Sequence, residues 1–358
     1  MNAVGLSFLL LATAWPQQST TDRLLVEGHY RRAQPVAQSA LQHNPQDLDA
    51  LIALSTIQWA YGQLEAAITT AEKAVLAADG SAIAHAQLAN ILGARLASNR
   101  IGTLEKLSIA RRFRKEADHT LQLDPNNLYA HEALARFYWY APAIGGGDKG
   151  RARQMVDQLV TLDPARGYAL KAELDATNSD KAKSAASVLE DWKQAVASAP
   201  KSYIAHVGLS GFLLHRDDKL KWAEDEARVA LALDSSRIAA YRLLAEIYVI
   251  NCQWDNLDAI LKRARAAVPD DFSPEFIAAQ TIFDRNIQSQ YTRAEEYLRN
   301  YLGHPAEGLE PTMATAHWRL GQLFEREGRR TTALTELQAA VNLDPSLDGA
   351  RKDMRSLQ

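Results

Sequence analysis

Residues 312–345 read Thr-Met-Ala-Thr-Ala-His-Trp-Arg-Leu-Gly-Gln-Leu-Phe-Glu-Arg-Glu-Gly-Arg-Arg-Thr-Thr-Ala-Leu-Thr-Glu-Leu-Gln-Ala-Ala-Val-Asn-Leu-Asp-Pro. The stretch divides into two amphipathic helices around Glu327-Gly328-Arg329. Trp318, Leu320, Gly321 and Phe324 recur at helical spacing in the first, and Ala333, Leu334, Leu337, Ala340 and Val341 in the second. Gly328 suits the hinge because glycine accepts a positive φ after a helix, and Pro345 stops the second helix. Gly321 and Ala333 are small where two helices must approach closely. A hairpin of this kind cannot bury its apolar face alone, so the stretch asks for copies of itself.

Copies are present upstream. Gly28 and Gly62 are 34 residues apart, as are Ala33 and Ala67, Ala37 and Ala71, and Ala40 and Ala74. This period and pattern resemble the tetratricopeptide repeat, whose first helix carries an early large and small residue and whose second carries two alanines and a closing proline. Leu320, Gly321, Phe324, Gly328, Ala333, Ala340 and Pro345 match it, and the resemblance covers nearly all of the chain after residue 20. It implies an all-α, right-handed superhelical solenoid of antiparallel helix pairs, with about eight repeats over 20–345 and a capping helix at 346–358. The first repeat is expected to be incomplete.

The pattern is broken in three places. The unit that begins at Ala82 closes about a dozen residues late, with extra sequence near 93–107, read as a longer first helix or a loop before a helix at 104–122. The unit that begins at Leu128 carries Ala141-Pro142-Ala143-Ile144-Gly145-Gly146-Gly147-Asp148-Lys149-Gly150 at its hinge. Some bacterial tetratricopeptide proteins have a similar Ala-Pro-Gly-Ile-Val-Gly-Gly insertion; Ala141-Pro142, Ile144 and Gly146-Gly147 match it, and Ala143 and Gly145 depart. Residues 165–200 form the least regular unit, with a poor first helix and Thr177-Asn178-Ser179-Asp180 at its turn. Any soft joint is expected there.

The 358 residues are 47% hydrophobic, enough for a long helical core. A net charge of −3 makes no general case for nucleic acid or an anionic membrane as partner. The single cysteine, Cys252, permits no internal disulfide. Ala3 to Ala12 is a short apolar run, followed by Ala12-Thr13-Ala14 and a polar stretch, which reads as a signal peptide cut after Ala14. The n-region lacks Lys and Arg, so a first packing helix is the alternative reading. The protein is accordingly expected in the periplasm or outside the cell, or in the cytoplasm if residues 1–14 are retained. No later segment has the length of a transmembrane helix.

The resemblance places the inner, concave row at fixed positions of each first helix. These positions hold Asn90; Tyr129, Glu132, Arg136, Trp139 and Tyr140; Arg242 and Glu246; and Trp318, Gln322, Glu325 and Arg326. Charged and aromatic side chains suit a peptide or protein segment, since Arg and Trp join large area to directed polar contacts. Trp139 and Trp318 are equally well read as inter-repeat core. The Lys and Asn set by which the family holds a chaperone's C-terminal carboxylate is missing. The glycine run at 145–150 lacks P-loop spacing. Arg111, Arg112, Arg114 and Lys115 form a basic cluster, read as a solvated helix face or, less simply, a surface for an acidic partner. No catalytic, metal or cofactor motif stands out. The expected function is a non-catalytic, exported bacterial scaffold that binds a protein or peptide segment in its groove, with 141–150 folded over the groove edge. The alternative is a structural or assembly subunit of the cell envelope.

Overall fold

The computed structural model describes residues 20–97, 102–177, 181–308 and 310–358. The expected signal segment at 1–14 lies outside them, as do 98–101 within the first insertion. The described chain is all-α, and its helices pair as hairpins in chain order. These are α1 (Thr20–Glu27) with α2 (Tyr30–His43), α3 (Leu48–Ala60) with α4 (Leu64–Ala77), and α5 (Ala82–Ala97) with α6 (Thr103–Leu123). Next come α7 (Leu128–Tyr140) with α8 (Lys149–Leu162), α9 (Pro164–Asp175) with α10 (Lys181–Ser198), and α11 (Tyr203–Leu214) with α12 (Leu220–Leu233). The last are α13 (Ala239–Ile250) with α14 (Trp254–Ala267), α15 (Ser273–Asp284) with α16 (Tyr291–Leu302), and α17 (Met313–Arg326) with α18 (Arg330–Leu343), followed by α19 (Asp348–Ser356). Each first helix packs on its own second helix and on the next hairpin, which makes a superhelical solenoid. In the first hairpin the described first helix, α1, has 8 residues.

Local sequence explains where the helices stop and start. A proline after the second helix ends one unit, and two residues later a polar side chain caps the next. Asp47 accepts the Ala50 N–H at 2.9 Å, Asn127 that of Ala130 at 3.1 Å, and Ser202 that of Ala205 at 3.3 Å. The hinges need a left-handed residue. Gly28, Gly62 and Gly328 provide it, and Cys252 and Asn286 take the same conformation at φ 52 and 54°. Cys252 is thus an exposed hinge residue.

The core lies between the first-helix and second-helix layers, and alanine sets the spacing. Ala33, Ala67, Ala223 and Ala333 are fully buried at equivalent sites. At Gly321 a Cβ would stand 2.8 Å from Leu337 Cγ and 3.3 Å from the Ala333 carbonyl. Gly321→Ala is therefore expected to destabilise the α17–α18 hairpin by about 1–3 kcal/mol, and Gly321→Leu by more. Urea unfolding followed by Trp318 fluorescence measures it; an unchanged midpoint would contradict the close contact.

The irregular unit is tightly built where it is described. Only Asp163 separates α8 from α9, and it caps α9 by accepting the Arg166 N–H at 3.1 Å. Gly167 has no room for a Cβ, which would lie 2.4 Å from Val160 N. Gly208 is covered by Trp192, whose ring would lie 2.1 Å from a Cβ. The first insertion lengthens both of its helices, α5 and α6. Arg95 braces them, with Nη2 3.0 Å from Glu65 and from Glu105.

The array also meets itself. His29 and the first turn of α2 touch loops 238 to 276 residues away. Arg32 Nε and Nη2 donate to Asp270 at 2.9 and 3.0 Å, and His29 Nδ1 lies 3.2 Å from the same carboxylate. The Arg31 N–H donates to Glu307 Oε1 at 2.8 Å, and its guanidinium to the Ala306 carbonyl at 3.0 Å. Gly308 packs on the Tyr30 ring. The superhelix therefore comes round far enough for its first hairpin to clasp the connector before α17.

Candidate interaction surfaces

The inner-row positions on α7 fall into two groups. Glu132 and Arg136 are one turn apart and take part in an ion network that joins α7 to α9. Glu132 is 5% exposed. Its Oε1 accepts from Arg136 at 3.1 Å, and its Oε2 lies 3.4 Å from Arg166 of α9. Arg136 also donates to both Glu173 oxygens, at 2.8 to 3.1 Å. Burial disfavours the Arg136 charge, and Glu132 and Glu173 more than offset this, so its pKa stands above the ordinary value. Tyr129 lies under the Arg166 guanidinium, 5.1 Å from ring to carbon. Trp139 donates to Thr177 Oγ1 at 2.8 Å and stacks under Lys149 at 4.9 Å. Tyr140 ends the helix and is 49% exposed. Desolvation, then Glu173, pushes its hydroxyl pKa up to about 12.

The remaining positions divide similarly. Asn90 is half-buried on α5. Arg242 and Glu246 lie one turn apart on α13. Burial raises the Glu246 carboxyl pKa, against the pull of His215, Arg242 and Arg285. Arg242 also acts on the raised carboxyls of Asp271 and Glu310. Trp318 and Gln322 are held by the capping helix: Trp318 Nε1 and Gln322 Nε2 donate to Asp353 Oδ2 at 2.7 and 2.8 Å. Trp318 also packs on Gly349, where a Cβ would clash at 2.3 Å. Arg326 donates to the Phe283 carbonyl at 2.6 Å, while Glu325 is exposed. Sequence reasoning passed over the partners Arg166, Glu173, Thr177 and Asp353, and the clasp residues His29, Arg31, Arg32, Asp270 and Glu307. They occupy positions where the repeat pattern specifies nothing.

The glycine-rich insertion does not lie where it was expected. It rests on α6, the second helix of the preceding hairpin. Gly146 sits at φ 96°, and a Cβ there would lie 3.4 Å from Arg114 Nη1 and 3.6 Å from the Phe137 ring. The N–H groups of Gly145 and Gly147 bond the Pro142 carbonyl, and that of Gly146 bonds Ala143. Asp148 caps α8 by accepting from Gly150 and Arg151 at 2.9 and 3.1 Å. These loop donors are used internally, so the loop offers no phosphate cradle.

Exposed large apolar residues are unevenly distributed. Leu76, Leu123, Leu162, Leu233 and Leu343 all lie on second helices, and the last four each precede the aspartate that ends the helix. Among the described residues Tyr140 is the one such residue on a first helix. No described helix is long and apolar enough to cross a membrane.

Two segments, residues 24–91 and 288–348, match family models described as Tetratricopeptide repeat. The fold is similar to that of yeast Tom70, with a TM-score of 0.53 at 12% identity, covering 94% of this chain and 79% of that one. A thermophilic tetratricopeptide-repeat protein of Thermus thermophilus aligns at TM-score 0.47 and 19% identity, over 54% of this chain and 95% of its own. One from Parabacteroides merdae aligns at 0.45 and 12%, over 75% and 98%. No curated protein matches the chain. At 12% identity the likeness to Tom70 bears on fold alone: the chain is an all-α superhelical solenoid of antiparallel helix pairs, with tetratricopeptide-repeat matches over 24–91 and 288–348.

Proposed function

We propose that this tetratricopeptide array is a non-catalytic scaffold that binds a protein or peptide segment along its inner face. Repeat folds of this kind present extended concave surfaces to other proteins. The observation that carries the reading is Tyr140: a large aromatic left half in water on a helix row that otherwise buries its apolar residues. Tyr140 would be the anchor, with Asn90, Arg242 and Glu246 as further contacts, while Glu132 and Arg136 hold the helices that present them. Residues 1–14 would direct export to the periplasm and be removed, which the mass of the mature N-terminus decides.

The exposed leucines on the second helices favour a second reading, a structural subunit that assembles through its outer face. A photo-crosslinking side chain placed in living cells at position 140, and separately at position 76, separates the two. Leu76 is 84% exposed on α4. Adducts from position 140, with none from 76, are expected for the inner-face scaffold. Adducts from 76 alone would replace it with the assembly role.

A further inference from the structure

Two departures from the repeat pattern, the basic run of α6 and the glycine-rich insertion, form one site. Arg111, Arg114 and Lys115 are spaced three and four residues apart, so they share one stripe of the helix. Arg112 points elsewhere and pairs with Glu72 of α4. The insertion closes over the stripe and leaves a cavity of about 440 Å³, with Leu107 and Ala110 in its wall and Ile144 and Gly146 on the loop side.

The cavity's charge is not neutralised from within. Among the described residues no ion pair joins Arg111, Arg114 or Lys115 to a carboxylate. The acids nearby are engaged: Glu116 with His85 at 2.6 Å, Glu105 with Arg95, and Glu72 with Arg112. Asp118 alone lines the cavity on the acidic side. Arg114 Nε is buried with no hydrogen-bond partner, and the guanidinium carbon stands 5.9 Å above the Tyr138 ring. A buried, unsatisfied donor on a cation is costly unless an acceptor comes from outside. On the lip, Ile144 is 90% exposed.

The loop N–H groups are occupied, so cationic side chains must hold the anion, and the rim is apolar. That combination fits a carboxylate with an apolar neighbour better than a compact phosphate, which would leave the apolar rim unused. We propose that this cavity binds an acidic segment of a partner polypeptide. A Glu or Asp side chain is received by Arg111, Arg114 and Lys115, and an adjoining apolar side chain lies on Ile144 and Leu107. The site is on the second-helix side and is independent of the inner-face reading.

The test uses the full chain and fluorescence anisotropy of a labelled decapeptide alternating Glu and Leu. Its controls are the same peptide with Gln for Glu, and inorganic phosphate as competitor. The acidic peptide is expected to bind and the Gln peptide to fail. The double variant Arg111→Glu, Lys115→Glu should weaken binding roughly tenfold or more; both side chains are exposed, so the fold survives. The equally charged double variant Lys201→Glu, Lys352→Glu, far from the cavity in sequence and exposed at both positions, should bind as the parent does. Ile144→Ser should weaken binding severalfold. Equal loss in both double variants would show non-specific attraction and overturn the proposal. So would full displacement by low-millimolar phosphate, or an Ile144→Ser variant that binds like the parent.

Discussion

Exchange of Asp270 for Arg is expected to open the clasp between the first hairpin and the far connector. Asp270 receives Arg32 through two nitrogens and has His29 beside it, and these contacts hold its carboxyl pKa down at about 2 against the opposing effect of burial. An arginine there would face the Arg32 guanidinium in place of the two bonds that Arg32 donates. Charge-assisted bonds of this kind contribute about 1.5–3 kcal/mol, so the closed-to-open ratio should fall roughly ten- to a hundredfold. Small-angle scattering would show a larger radius of gyration, and amides of α1 and α2 would exchange faster. The helical content should hold, because each hairpin is stabilised by its neighbours. Unchanged scattering would mean that the ends are held by something else.

The same clasp is expected to depend on pH, and the sign follows from Glu307. Its side chain is 1% exposed, and desolvation, reinforced by Asp270 and opposed by the Arg31 N–H, raises its pKa from 4.5 to about 7. Asp271, Arg31, Tyr30 and Tyr61 also face it. The closed form therefore binds more protons than the open form between about pH 4.5 and 7. Closure should weaken as pH rises through that window and change little above it. Below it Asp270 takes over with the opposite sign, because its depressed pKa makes closure weaken as pH falls from about 4 toward 2. Glu307→Gln should abolish the upper transition and leave the array closed at pH 8. Scattering that stays pH-dependent in this variant would assign the transition to another group.

The fold was legible in the sequence because the repeat is a packing code. Small residues at Ala33, Ala67 and Gly321, proline stops and polar caps each have a local physical reason, and each recurs. The site was less legible for the same reason. Inner-row positions were mapped by register, but register does not say whether a side chain is free. Trp318 and Gln322 are taken by Asp353, which belongs to a helix outside the repeat. Glu132 is taken by Arg166, whose unit looked irregular. The clasp between residues 29–32 and 270–307 carries no sequence signal, since it depends on the accumulated curvature of the whole array. The insertion was recognised as a departure, but only its contact with α6 shows that it shares a cavity with the basic cluster.

Removing Glu132 should be the most damaging single change on the inner row. Its two oxygens stand between Arg136 and Arg166, and Arg166 is itself buried beside Tyr129. Arg136 keeps Glu173, but Arg166 would lose a buried carboxylate at 3.4 Å, and Asp163 stands further off at 3.7 Å. Stripping one member from a buried ion network typically costs about 3–5 kcal/mol, because the other charge stays desolvated. Glu132→Ala is therefore expected to accelerate amide exchange across α7, α8 and α9 and to spare the distant hairpins, as befits a nearest-neighbour array. Glu132→Gln should cost less, since it keeps a hydrogen-bond acceptor. The double variant Glu132→Leu, Arg166→Met should recover much of the loss, because it removes the desolvated cation along with its partner. A binding role for Glu132 makes the contrary prediction: exchange near normal in Glu132→Ala, partner crosslinking at position 140 lost, and no rescue by the second substitution. The outcome decides whether the charges of α7 meet a partner directly or hold in place the surface that does.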